Sequence, residues 1–377
     1  MKVAILSPFY PYRGGIAQFG ASLFRELEKR DHEVRAYTFT RQYPGFLFPG
    51  VTQWVTPEDQ ADPIPAQQVL DSINPLSYRR AGIHIARFAP DLLLINFWMP
   101  FFAPALGSVA ARVGKTGTCV LAVMHNVIPH ERRPGDRLLM RYFLRRCHGF
   151  VVMSRAVAKD LTELRSDAAY IVQPHPVYAH FGRRMSRQES RRKLGLPENR
   201  PILLFFGFIR AYKGLDIALE ALHRLPQEYL LIVAGEMYDR ESKYREIIDR
   251  HQLHHRLKMW THYIPDDQVR LLFSAADVAV VPYRSATQSG IIQIAYHFRL
   301  PVIVSNVGGL SEMIEHGSTG LILTELTAQA LAQAVQFYFE HNLRDAFSAN
   351  MEKQAGQYSW SAFVQAIESF YQQLTSG

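Results

Sequence analysis

The chain has 377 residues, 48% of them hydrophobic, and a formal charge of +8. It is too long for one ordinary core and apolar enough for two, so two domains are expected. Its only cysteines, Cys119 and Cys147, lack the paired spacing of a zinc site or redox motif, which argues against thiolate-metal chemistry and disulfide staples and fits a reducing, cytoplasmic compartment. No apolar run approaches the roughly 20 residues of a membrane-spanning helix. The basic balance attracts anions, whether nucleotide phosphates, acidic glycans, anionic lipids or nucleic acid, but no zinc-finger or RNP spacing supports dedicated nucleic-acid binding.

The opening MKVAILSP is too short for a secretory core and reads as a first strand over Val3–Leu6. A loop PYRGG follows, then Phe19, Leu23 and Leu27 at helical spacing, with Lys29 and Arg30 where a helix end favours cations. HEVRAYTF at 32–39 resumes strand alternation, giving a βαβ unit. Buried-strand runs at Leu92–Ile95, Cys119–Met124 and Gly149–Met153 extend this into a parallel sheet. Prolines and polar residues dominate 171–200, and a linker is expected at the start of that stretch. A second series then begins, with strands ILLFFGF, LLIVAG, VAVVPY and VIVSN separated by helix-length segments. Helical faces are expected at Leu215, Ala218, Leu219 and Leu222, and at Val269, Leu272, Phe273 and Ala276. Trp360, Phe363, Ile367, Phe370 and Leu374 lie on one side of a last helix that needs a packing partner.

Three strand-to-helix turns carry residues suited to anions. Gly14 and Gly15, after Arg13, let backbone amides approach a phosphate at a helix start; a tight turn needing two glycines explains them equally well. No G-x-G-x-x-G or Walker spacing is present, which removes support for a nicotinamide dehydrogenase or a P-loop enzyme. In FFGFIRAYKGLDIALEAL at 205–222, Gly207 ends a strand and Arg210 and Lys213 precede a helix, a combination suited to a diphosphate although each cation alone reads as a solvated loop residue. In SATQSGIIQIAYHF, Thr287, Gln288, Ser289 and Gly290 lead into an apolar helix whose capping and anion-binding readings are compatible. Gly308, Gly309 and Glu312 mark a further turn, the glutamate readable as first-turn stabilisation. His125 ends the strand Cys119–Met124, where a cleft-lining role is the plainer reading; His130 and Glu131 follow on the same loop.

These segments resemble glycosyltransferase family 4, a group of retaining enzymes of the GT-B architecture, along almost the whole chain. The family's G-R-L-x-x-x-K-G segment is matched by GFIRAYKG through Gly207, Lys213 and Gly214, with Phe208 at the arginine position and Arg210 offered as its substitute. PVIVSNVGGLSE at 301–312 is similar to the family's P-V-V-A-S-x-x-G-G-x-P-E, and HYIPDDQVRLLFSAADVAVVPY to its nucleobase-contacting stretch, near Tyr263 and Ile264 here. The resemblance implies a histidine beside the donor sugar at His125. The family's two glutamates, eight positions apart, are missing: their places fall on Ala286 and Ile294 or on Thr287 and Ala295. The turn Ser289–Ile291 survives, and Gln288 and Gln293 are expected to take over hydroxyl contacts, as in a subgroup with a T-Q-S-G pattern.

The resemblance therefore implies two Rossmann-like parallel-sheet domains facing across a cleft. The expected division is 1–172 on the acceptor side, 173–357 holding a nucleotide-sugar donor, and 358–377 as a helix packing back on the first domain. The implied reaction moves a sugar from a nucleotide-diphosphate donor to a glycan or lipid-linked acceptor, with retention, as in polysaccharide biosynthesis. Donor-binding positions are Gly14, Gly15, Arg210, Lys213, Tyr263, Ile264, Gln288, Ser289, Gly290, Ile291 and Glu312, and the sugar-contacting histidine is His125. No cofactor or metal is expected, since no D-x-D triplet occurs. A nucleotide-sugar epimerase independent of NAD, and a non-catalytic binder favoured by the missing glutamates, stay open as alternatives. Arg137, Arg141 and Arg145, four apart beside leucines and aromatics, suggest peripheral contact with a membrane or a solvated helix face, and Arg183–Lys193 adds a second basic block. Phe97, Trp98, Phe101 and Phe102 read as an acceptor wall or as core.

Overall fold

The computed structural model describes residues 1–45, 52–55, 61–128, 134–177, 181–286 and 289–376. The chain divides into two compact units: Met1–His175 together with Trp360–Gly377, and Pro176–Ser359.

Among its described residues the first unit holds seven strands, all parallel: β1 (Lys2–Leu6), β2 (Glu33–Arg41), β3 (Gln67–Asp71), β4 (Leu92–Phe97), β5 (Cys119–Met124), β6 (Gly149–Val152) and β7 (Tyr170–Val172), in the order β3-β2-β1-β4-β5-β6-β7. Helical crossovers cover both faces, so the central strands are buried on both sides and read as unbroken apolar runs. One face packs against the helices Pro75–Ala86, Ala103–Gly114, Asp136–Leu144 and Arg155–Leu164. The other is covered by the helix Gly15–Lys29 and by the last helix, Trp360–Thr375. Phe363, Val364, Ile367 and Phe370 of that last helix lie among Phe19, Leu23 and Leu27, which supplies the packing partner its apolar stripe requires. Arg30 clamps Glu368 through two bonds of 3.0 and 2.6 Å, and His32 Nε2 lies 2.7 Å from the same carboxylate.

The second unit holds β8 (Ile202–Phe206), β9 (Leu230–Ala234), β10 (Leu257–Trp260), β11 (Val278–Val281), β12 (Val302–Ser305) and β13 (Gly320–Leu323), again all parallel, in the order β10-β9-β8-β11-β12-β13. Leu215, Ala218, Leu219 and Leu222 face the sheet from one side, and Val269, Leu272, Phe273 and Ala276 from the other. In both units the order reverses beside the first strand, between β1 and β4 and between β8 and β11. At such a reversal adjacent loops run apart and leave a crevice at the carboxyl ends of the strands, the place where open parallel sheets bind ligands. Both cysteines are buried and free. No described helix is long and apolar enough to cross a membrane.

Candidate functional site

In the second unit, the loops that leave β8 and β11 flank this reversal. Gly207 follows β8 with φ +96°, a conformation that suits glycine. A Cβ placed there would stand 2.9 Å from Lys213 Nζ and 3.0 Å from Ile291 Cδ1, so Gly207, Lys213 and Ile291 meet at one point. Gly235, after β9, has φ +144°, and a Cβ on it would stand 2.2 Å from the Gly207 carbonyl oxygen. Two glycines are thus needed for adjacent strand ends to lie this close.

Lys213 ends the 3-10 turn Ala211–Lys213 and is 8% exposed. Its ammonium lies 5.2 Å from the centre of the Tyr283 ring, and among the described residues no carboxylate pairs with it. Burial first, and the neighbouring Arg210 guanidinium second, push it from its ordinary 10.5 down to about 7. Arg210 lies 5.1 Å from the centre of the Tyr238 ring. The loop is held firmly: Gly214, with φ +73°, packs so closely that a Cβ would stand 2.1 Å from the Pro282 carbonyl oxygen. Arg284, after β11, donates to both oxygens of Asp216 at 3.0 and 2.7 Å, and its amide donates to the Tyr212 carbonyl at 2.6 Å.

The helix Gly290–Phe298 starts beside this lysine. Ser289 is its N-cap, is 9% exposed and makes no side-chain capping bond, so the first turn presents backbone donors without an internal acceptor from the cap. Gln288 and Thr287 lie outside the described residues. Ala286, Ile294 and Ala295, at the positions of the missing glutamates, are all buried in the apolar core. Gln293 differs from the expectation of a hydroxyl contact: it is 1% exposed and donates to Met313 Sδ at 2.6 Å, because its place on the helix turns it inward. Ile264 is buried in the core below the loop that follows β10, with Tyr263 half-buried beside it, and Glu312 is exposed on the 3-10 turn Ser311–Met313.

In the first unit, Gly14 caps the helix Gly15–Lys29 with φ +107°, and a Cβ there would meet nothing within 4 Å, so backbone conformation rather than crowding accounts for this glycine. Both Gly14 and Gly15 are exposed. His125 follows β5 and its amide donates to the Phe97 carbonyl at 2.8 Å. Its ring is 4% exposed, stands edge-on to Phe19 at 4.8 Å and lies 6.5 Å from His175. Burial, and then His175, hold His125 well below the usual histidine range, so it is neutral at physiological pH. His130 and Glu131 lie outside the described residues.

Sequence reasoning missed Gly235, Tyr238, Tyr283 and His175. Gly235 stands at the end of an apolar run, the same signal that singled out Gly207; His175 is fifty residues from His125, and no local pattern connects them. Phe102 is fully buried, and Trp98, half-buried, donates from Nε1 to Tyr43 Oη at 2.9 Å. In the helix Asp136–Leu144, Met140, Phe143 and Leu144 face the sheet while Arg137, Arg141, Arg145 and Leu138 are exposed, Leu138 by 74%.

Two all-parallel sheets, each with a glycine-bearing turn beside its reversal, agree with the GT-B class of glycosyltransferases, which the sequence and structural relatives bear out. Residues 13–177 match the sequence model "Glycosyltransferase Family 4" and 186–358 match "Glycosyl transferases group 1". Only 1–12, 178–185 and 359–377 fall outside, and the chain belongs to the glycosyltransferases of family 4 type. It is 27% identical over 237 residues to the D-inositol 3-phosphate glycosyltransferase of Xylanimonas cellulosilytica, covering 60% of this chain and 57% of that one. To the alpha-D-kanosaminyltransferase of Streptomyces kanamyceticus it is 26% identical over 193 residues, 50% and 49% of the two chains. The chain thus spans about half the length of the curated relatives it matches. The Anabaena HepE structure in complex with UDP superposes with a TM-score of 0.77 at 18% identity, covering 98% of this chain and 99% of that one. The sucrose-phosphate synthase of Thermosynechococcus elongatus gives 0.74 at 18%, covering 100% and 99%. These likenesses establish the GT-B fold.

Proposed function

We propose that the chain transfers a sugar from a nucleotide-diphosphate donor, bound by the second unit, to a glycan or lipid-linked acceptor, with retention and without a metal. The observation that carries this reading is Lys213: a buried ammonium without a paired carboxylate among the described residues, beside Gly207 and the start of the helix Gly290–Phe298. Burying a cation is costly unless an anion completes the site. A diphosphate supplies that anion, and its two phosphoryl groups fit a lysine combined with backbone amides at a helix start.

In this reading Lys213, Arg210 and the amides of Ser289, Gly290 and Ile291 stabilise the negative charge that develops on the departing diphosphate, the largest contribution to rate that the site offers. The backbone at Tyr263 and Ile264 receives the nucleobase. Gln288 and Glu312 contact the rest of the donor, and the backbone at Gly14 and Gly15 is open enough to offer amides to a phosphate. His125, kept neutral, is a hydrogen-bonding group for a sugar rather than a charge beside a reacting carbon that becomes electron-poor. The relatives support donor binding: one solved neighbour holds UDP and another UDP-glucose. The reading places the protein at the cytoplasmic face of a membrane, held peripherally by Arg137, Arg141 and Arg145.

The test is thermal stabilisation by uridine, guanosine, adenosine and cytidine diphosphates and their sugars, since a ligand of the folded state raises stability by mass action. One nucleotide sugar is expected to stabilise selectively, and nucleoside diphosphate is then released only when acceptor is added. Release without acceptor, or no response to any nucleotide, overturns the reading.

A further inference from the structure

The basic block near residues 183–193 converges with a second helix at the other end of the strands of the second sheet, opposite the Lys213 site. Asp277 immediately precedes β11, at the amino ends of the strands, whereas Lys213 and Gly290 follow the carboxyl ends. Arg187 donates to Asp277 Oδ1 at 2.6 Å and Arg191 to Oδ2 at 2.7 Å, the two arginines lying one turn apart on the helix Arg187–Lys193. Arg191 is fully used: it is 2% exposed and also donates to the carbonyls of Ala275, Glu198 and Arg200. Asp277 is satisfied by Arg191 and Arg187 together with the Ile202 amide, which donates to Oδ2 at 2.8 Å.

The remaining guanidiniums have few acceptors. Arg344, on the first turn of the helix Leu343–Gln354, has its Nε buried and 3.7 Å from Asp277 Oδ1, outside hydrogen-bond reach. Its Nη1 lies 3.4 Å from Asp345, whose side chain is 94% exposed and so neutralises little. Among the described residues Arg184 bonds only to Ser348 Oγ, at 3.3 Å, and it feels the positive charge of Arg344, Arg299 and Arg187 against the negative charge of Asp345. Arg299 pairs with Glu352 at 2.7 Å. Arg187, Arg191 and Arg344 therefore share one buried carboxylate, Asp277, and Arg184 lies beside them with the exposed Asp345 as the carboxylate it feels. Like charges are held together here without enough acceptors, and the preorganised planar donors suit a tetrahedral oxyanion.

We infer that Arg184, Arg187 and Arg344 form a binding site for a phosphate-type oxyanion at the amino ends of the second sheet, separate from the donor site. The ligand is a phosphoryl or diphosphoryl group, presented either by a soluble molecule or by the headgroup of an anionic lipid. The site does not depend on the proposed sugar transfer, because none of its residues belongs to that machinery.

Binding of inorganic pyrophosphate to the full chain, followed by calorimetry at low salt, tests it. The parent should bind at two sites. Lys213→Gln should keep one of them, while the pair Arg184→Gln, Arg344→Gln should lose that one by at least tenfold and keep the Lys213-dependent site. Arg184→Gln alone, at an exposed position, serves if the pair does not fold, and should weaken the second site severalfold. Unchanged affinity and stoichiometry in the arginine variants, or no binding by a folded Lys213→Gln protein, overturns the inference. Vesicles of phosphatidylcholine with and without phosphatidic acid distinguish the sources: retention of the parent only on the acidic vesicles, lost in the arginine variants, identifies a headgroup. Binding of pyrophosphate without such retention identifies a soluble ligand.

Discussion

Replacing Lys213 by methionine should stabilise the unliganded protein and abolish its response to diphosphates. The lysine is held at about pH 7 instead of 10.5. At about 1.4 kcal/mol per pH unit, this costs the folded state on the order of 4 kcal/mol at pH 7. The cost is full below pH 7, where the buried amine must carry its proton. It is relieved as the pH rises from 7 to about 10.4, because there the unfolded chain holds a proton that the folded one has released. Methionine fills similar space without a charge, so Tm at neutral pH should rise by about 2–4 °C for each kcal/mol recovered. A bound diphosphate favours the ammonium, so donor binding by the parent takes up a proton above pH 7 and weakens by up to about tenfold per pH unit. Calorimetry in buffers of different ionisation enthalpy measures that proton, and thermal melts across pH measure the rest. A Lys213→Met protein that binds diphosphate as the parent does, or a parent whose affinity is flat from pH 7 to 9, would refute the reasoning.

His125 is depressed below its ordinary value, so between about pH 6.5 and that lower value the unfolded chain binds the extra proton. Stability should fall with acidification by up to about 1.4 kcal/mol per pH unit from this group, and denaturant titrations should show a shallower slope for His125→Asn. Among glycines, Gly235→Ala should cost well over about 3 kcal/mol, because a Cβ would stand 2.2 Å from fixed backbone. Gly14→Ala, with nothing within 4 Å, should cost only the backbone term of about 1–3 kcal/mol; equal losses would contradict this ordering. Glu368→Gln breaks the clamp from Arg30 and should lower stability by about 1 kcal/mol in urea melts, with no loss pointing to a helix held by its apolar face alone. Changing Arg137, Arg141 and Arg145 to glutamine should weaken pelleting with anionic vesicles by about 1 kcal/mol for each arginine; equal recovery of the parent with and without anionic lipid would exclude the membrane contact.

The central strands of both sheets are legible in the sequence, from Val3–Leu6 to VIVSN, because strands covered on both faces must be apolar throughout. The strands that the pattern left unread are β3, β7, β10 and β13, and these are the four sheet edges. QQVLD, YIV and LKMW are only partly covered, so nothing forces a continuous apolar run on them. The short GLIL of β13 is apolar but gives too little length to distinguish strand from helix. The turns at the reversals were legible for the same local reason: a strand, a glycine, cations and a helix start follow one another within a dozen residues.

What the chain determined by itself was therefore the sequence of buried strands and core-facing helices, and the identity of the groups at the strand ends. Which of those groups meet was decided by tertiary structure. Lys213 and Ile291 follow different strands and converge only because β8 and β11 are neighbours in the sheet. His175 reaches the side of His125, and Arg344 reaches Asp277, across separations that carry no periodic signal. The burial that lowers the lysine to about 7 is likewise a property of the packed loops, since the same residue in the extended chain would be solvated and ordinary.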